Sequence, residues 1–230
     1  MINIISTFYV SKYSSNLDNL RSKELEDCLV NNISCPFVDK VHLFVDDNDA
    51  LIRLKELTND SEKIVVIDVG KKPKYNDFFN YIINNLNDKI CMITNSDIYL
   101  LECDIKVIEK LNNNKIAYAL TRHEYDMSCP LINDYYGSHD CYIFNSKFIN
   151  KYIINNHTDF YQNMLGIESH IVKNLCDFQF KVFNPCKQIK IVHLHRTELR
   201  KYSGNWIGLH KYGDLEYQRN SCWWIPPIIL

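Results

Sequence analysis

The chain has 230 residues, 46% of them hydrophobic, the size and apolar content of one α/β domain built on one core. Its 26 basic and 28 acidic residues give a formal net charge of -2, so it lacks the basic excess that draws proteins onto nucleic acid or anionic membrane, and any phosphate must be met locally. No apolar run is long enough to span a bilayer, and the start Met1-Ile2-Asn3-Ile4-Ile5-Ser6-Thr7 has neither the basic region nor the cleavage site of a signal peptide; a soluble, cytoplasmic protein is expected.

The first half alternates short apolar runs with amphipathic stretches, the pattern of parallel strands joined by crossover helices. Ile2 to Val10 reads as a strand. From Leu17 to Val30, the residues Leu17, Leu20, Leu25, Cys28 and Leu29 fall roughly on one stripe of a surface helix. A strand at Val41 to Val45 ends in Asp46-Asp47-Asn48-Asp49, whose cap chemistry starts a helix carrying Leu51, Leu54 and Leu57. Lys63 to Val69 is a strand, Asp77 to Leu86 a helix and Lys89 to Thr94 another strand.

After Asp97 the pattern loosens. A helix near Asp104 to Leu111 leads to a strand at Ile116 to Leu120, a polar loop from Arg122 to His139 and a strand at Cys141 to Phe144. A longer helix is expected over Met164 to Leu175, followed by strands near Phe178 to Phe183 and Ile189 to His195. The aromatic-rich residues 204–230 read as a tail packed over the core.

Candidate chemistry falls at strand ends. In Ile93-Thr94-Asn95-Ser96-Asp97-Ile98 a polar triplet follows a buried strand, where open α/β sheets bind ligands. It reads either as a turn or as a site in which Asp97 holds a divalent ion bridging a diphosphate, with Asn95 as a neutral ligand or hydrogen-bonding partner. In His193-Leu194-His195 period-two geometry puts both imidazoles on one face, able to offer a metal ligand and a phosphate donor. Arg196, Arg200 and Lys201 gather cationic groups just beyond, suited to diphosphate or simply solvated. Asp140, ahead of an apolar strand, is placed either as a strand-end cap or as a general base on an acceptor hydroxyl. Glu168 opens the long helix, where the dipole favours an acid with or without function. Arg122 follows a strand and would meet a phosphate or sugar if that end lines a cleft.

Absences discriminate too. No GxGxxG follows the first strand, no GxxxxGK[ST] occurs, and six glycines leave no glycine-rich phosphate cradle. The lack of G-x-S-x-G and H-E-x-x-H weakens hydrolase and zinc-protease readings. Nine cysteines, scattered without a CxxC pair, read as reduced and mostly buried thiols.

Taken in order, Ser6-Thr7-Phe8, Lys74-Tyr75-Asn76-Asp77-Phe78-Phe79, Ile93-Thr94-Asn95-Ser96-Asp97-Ile98, Ala119-Leu120-Thr121-Arg122, Gly137-Ser138-His139-Asp140, Gly166-Ile167-Glu168 and His193-Leu194-His195 resemble small GT-A glycosyltransferases of bacteria and large DNA viruses. The resemblance covers about residues 1–203. It implies a GT-A-like (Rossmann-like) mixed sheet flanked by helices in one domain, with a nucleotide-sugar-binding half at about 1–101 and an acceptor-side half at about 102–203. It implies transfer from a nucleotide-sugar donor, UDP-linked by preference, to a glycan or other acceptor, with Mn²⁺ or Mg²⁺. Thr7 and Phe8 would lie near the nucleotide, and Tyr75 and Asp77 near the base, ribose or sugar. Asp97 and one of His193 or His195 would serve metal and diphosphate, while Asp140 and Glu168 would face the acceptor. Asn95-Ser96-Asp97 is a D-x-D motif with its first acid replaced. The rivals are a sugar-phosphate nucleotidyltransferase and a non-catalytic binding protein on a decayed transferase scaffold.

Overall fold

A computed structural model describes residues 1–10, 16–59, 61–126, 128–132, 139–149, 158–162, 167–196 and 225–230. Parallel strands β1 (Ile2–Thr7), β2 (Val38–Val45), β3 (Ile64–Asp68) and β4 (Ile90–Thr94) form one side of a seven-stranded sheet. β6 (Ile116–Leu120), β8 (Cys141–Asn145) and β9 (Lys181–Phe183) complete it in the order β3-β2-β1-β4-β8-β6-β9. Strand β8 runs antiparallel to both β4 and β6, so the sheet is mixed. Ile2, Ile4 and Ile5 are all buried, as a central strand covered on both faces requires.

Helices cover both faces. α1 (Asn16–Ser34), α2 (Asn48–Thr58) and α4 (Ile105–Asn113) send Leu29, Leu54 and Leu111 into one core layer. α3 (Tyr75–Asn85) and α5 (Ile167–Asp177) fill the other with Phe78, Phe79, Ile82, Ile171 and Leu175. Caps set two of the starts: Asp47 accepts from the Ala50 amide at 2.9 Å, and Asp104 from Lys106 at 2.9 Å. A small second sheet, in the order β5-β10-β7, joins β5 (Ile98–Cys103), β10 (Ile189–His193) and β7 (His123–Glu124).

The expected mixed α/β domain is what forms, with shifted boundaries. β5 falls where the apolar pattern loosens, and β7 lies inside the stretch expected as loop. The first strand stops at Thr7 rather than Val10, and β10 at His193 rather than His195. Of the expected C-terminal tail, residues 204–224 lie outside the described residues; at 225–230, Asn184 donates to the Ile225 carbonyl at 2.8 Å and accepts the Ile228 amide at 3.0 Å through its own carbonyl. The eight cysteines among the described residues are free thiols, most of them buried. Among the described residues no helix is long and apolar enough to cross a membrane.

One buried polar group on β2 carries a pH prediction. The His42 ring sits between Tyr81 Oη, 3.0 Å from Nδ1, and Asn3 Oδ1, 3.1 Å from Nε2. A neutral ring protonated on Nε2 satisfies both, and burial pushes its pKa down to about 4. The unfolded chain therefore takes up this proton first, and the His42 contribution, complete above about pH 6.5, is lost as pH falls towards 4. His42→Gln should flatten that limb of the stability profile, by a few kcal/mol at most. Urea melts from pH 7 to 4 measure it, and an unchanged acid limb would contradict the assignment.

Candidate active site

After β1 the chain builds outward through β2 and β3, then returns through α3 to lay β4 on the opposite side of β1. The C-terminal ends of β1 and β4 therefore flank a topological switch point, where α/β sheets open a crevice. β8, antiparallel, contributes its N-terminal end to the same edge. Hydrogen bonds stitch these ends together. Ser6 Oγ donates to the Thr94 carbonyl at 2.9 Å, and Thr94 Oγ1 donates to the Asp140 carbonyl at 3.1 Å. Thr7 Oγ1 lies 2.7 Å from Ser96 Oγ and donates to Gln162 Oε1 at 3.4 Å.

Asp97 is placed by the small sheet. His193 pairs with Ile98 across the β5–β10 ladder and with Glu124 across β10–β7. Asp97 thus arrives beside one edge of the His193 ring and Glu124 beside the other. His193 Nε2 is 3.2 Å from Asp97 Oδ2, and Nδ1 is 3.7 Å from Glu124 Oε2. Arg21, from α1, puts Nη2 2.5 Å from the same Asp97 oxygen and Nη1 2.9 Å from Glu24 Oε2. On the far side Arg122 donates through Nε to Glu124 Oε1 at 2.8 Å, and its Nη1 lies 3.3 Å from Asp140 Oδ2. The result is one continuous run of polar contacts: Glu24, Arg21, Asp97, His193, Glu124, Arg122, Asp140.

The network sets its own charge states. Burial by itself would raise the Asp97 pKa, but the bond to His193 and the charges of His193 and Arg21 outweigh it, and the carboxyl sits well below the usual range. Glu124 follows the same logic, with burial opposed and overcome by Arg122.

Those charges bear on a metal. Asp97 Oδ2 and His193 Nε2 lie 3.2 Å apart in a hydrogen bond, and a divalent ion held by both would take that bond's place. Glu124 Oε2 stands 3.7 Å behind Nδ1, an ion-pair distance beyond hydrogen-bond reach. Among the described residues no three His, Cys, Asp or Glu side chains gather around one point. An ion there would have Asp97 and His193 as its side-chain ligands and would take the rest from phosphate and water, as Mg²⁺ at nucleotides commonly does.

The remaining candidates divide. His195 stacks on His193 with ring centroids 5.1 Å apart and an 11° interplanar angle, so the two share a face as the alternation predicts. Glu168 opens α5, and its carbonyl accepts the Tyr142 hydroxyl at 3.3 Å. Asn95 lies in the turn between β4 and β5, and its carbonyl accepts the Ile98 amide at 3.3 Å. Phe8, Tyr75 and Asp77 have structural partners. Phe8 is 3% exposed in the α1 face of the core. Tyr75 is 2% exposed and packs on Phe78 and Phe160. Asp77 Oδ2 accepts the Lys74 amide at 2.8 Å and so caps its own helix. Arg200, Gly137, Ser138 and Gly166 lie outside the described residues.

Sequence reasoning missed Arg21, Glu24, Glu124 and Gln162. Only Glu24 left a signal: it lies one turn before Cys28 on the apolar stripe of α1, and both are fully buried.

No protein-family model matches the chain, and no curated protein matches its sequence. Solved structures do. A glucose-1-phosphate thymidylyltransferase of Bacillus anthracis, solved with sucrose, is similar at 8% identity and a TM-score of 0.54, over 80% of this chain and 87% of that one. A mannosyltransferase of Pyrobaculum calidifontis, solved with GDP-mannose and Mn²⁺, is similar at 10% identity and a TM-score of 0.54, over 86% of this chain and 58% of that one. At such identities the likeness is one of fold: a mixed-sheet domain of the kind shared by nucleotide-sugar transferases and sugar nucleotidyltransferases.

Proposed function

We propose that the chain is a metal-assisted glycosyltransferase that moves a hexosyl or deoxyhexosyl group from a nucleotide-diphosphate sugar, UDP-linked by preference, to an acceptor hydroxyl. One observation carries the reading: the Asp97 carboxyl group beside His193, in the turn between β4 and β5, flanking the switch point of the sheet. Asp97 and His193 would hold the ion. A divalent ion there would neutralise charge growing on the leaving diphosphate. Thr7 and Ser96, at the crevice edge, offer hydroxyls to the nucleotide, and His195 offers a ring nitrogen to phosphate. Asp140, held by Arg122, takes the proton from the acceptor hydroxyl, and Glu168 binds on the acceptor side.

Calorimetry with UDP, with and without Mn²⁺, tests this directly. UDP should bind measurably only with Mn²⁺, and donor hydrolysis should fall in EDTA and return on adding Mn²⁺. Full activity in chelator would overturn the metal assignment. A nucleotidyltransferase has equal support from fold similarity, but residues 8–15 contain no glycine and so no glycine-rich phosphate loop. Formation of a nucleotide sugar from UTP and a sugar 1-phosphate would favour that reading.

A further inference from the structure

Arg21 and a divalent ion would use the same oxygen. Asp97 Oδ2 receives the guanidinium at 2.5 Å and His193 Nε2 at 3.2 Å. An ion bridging Asp97 and His193 would stand within a few ångströms of that guanidinium, where two cations in a partly buried site repel far more strongly than in water. Arg21 has somewhere else to hold. Its other terminal nitrogen, Nη1, is bound at 2.9 Å to Glu24, which is fully buried and accepts the Arg196 amide on its second oxygen. The guanidinium can therefore release Asp97 while staying tethered one helical turn away. Once released, Nη2 carries N–H donors with the charge and geometry for a phosphate oxygen.

We propose that Arg21 is an internal competitor of the metal at Asp97: it occupies Oδ2 while the donor site is empty and exchanges that contact for a diphosphate oxygen when ion and nucleotide bind together. This rests on the donor-site reading above. Either ligand alone meets an obstacle, the ion facing the Arg21 guanidinium and the diphosphate an Arg21 that Asp97 still holds. Each removes the other's obstacle, which makes their binding mutually cooperative.

The test is calorimetry with Mn²⁺ alone, and with UDP at saturating Mn²⁺, on wild type, Arg21→Met and Glu24→Gln, with circular dichroism to verify the fold. Arg21→Met should bind Mn²⁺ alone about tenfold more tightly and UDP about tenfold more weakly, the scale of one charge-assisted hydrogen bond. Glu24→Gln, nearly the same shape, commits Arg21 more fully to Asp97 and should weaken binding of Mn²⁺ alone. A folded Arg21→Met with unchanged or weaker Mn²⁺ binding, or with unchanged UDP binding, overturns the proposal. If Arg21→Met does not fold, Glu24→Gln decides, and unchanged or tighter Mn²⁺ binding overturns it. Wild type that binds neither Mn²⁺ nor UDP would instead overturn the donor-site reading beneath it.

Discussion

Asp97→Asn should lower turnover by about three orders of magnitude, the scale at which removing a fixed electrostatic group from a charge-developing transition state is felt. Asparagine keeps the shape and one oxygen but removes the charge that Arg21, His193 and an ion all use. The fold should survive, because Arg21 keeps Glu24 and the Asp97 backbone carbonyl still accepts the Leu194 amide at 2.9 Å. Some stability should go. The folded Asp97 carboxyl lies well below its ordinary range, so its charge favours the folded state above about pH 4, an advantage lost as pH falls through the folded value. Asparagine forfeits that advantage at neutral pH, and a lower melting temperature should accompany the loss of turnover. Turnover near wild type in the purified variant would remove Asp97 from the site.

Asp140→Asn should separate catalysis from donor binding. A positioned general base contributes roughly two to four orders of magnitude to turnover, while an interaction made only in the transition state leaves ground-state affinity alone. UDP and Mn²⁺ affinities should then stay near wild type as turnover falls. The geometry allows a clean substitution, since Arg122 retains Glu124 at 2.8 Å and the strand start stays tied to Thr94 through the Asp140 backbone. His193→Ala is the counterpart: it should weaken UDP binding itself, because that contact precedes chemistry. Lost UDP affinity with turnover preserved in Asp140→Asn would move Asp140 to the donor side and make Glu168 the acceptor-side acid.

The parallel strands and their helices were legible because both signals are local: apolar runs such as Ile90–Thr94, and caps such as Asp47 and Asp104. β5 was not, since it lies outside the main sheet and buries only Ile98, Tyr99 and Leu100 before its pattern turns outward. β7 has two residues and exists only because β10 pairs with it, a contact about seventy residues away in sequence. The candidate site divides the same way. Asp97, His193, Arg122 and Asp140 stand at strand ends, where position alone suggests chemistry. Glu24 shows itself only by its place on the apolar stripe of α1, and Arg21 looks like ordinary surface, since its role depends on the docking of α1 against β5.

The central place of β1 also shapes how the chain must fold. Ile2 to Ile5 pair on one side with β2 and on the other with Ile90 to Ile93, so the second neighbour is synthesised nearly ninety residues after the first strand. Until then a largely apolar edge stays open on the nascent chain, with Ile4 and Ile5 exposed to any strand that offers itself. Non-local parallel pairing of this kind is slow to form and vulnerable to aggregation. The crevice between β1 and β4 therefore cannot form while only the first three strands have been made: the same return of the chain that opens a binding site also makes that site wait for Ile90–Thr94.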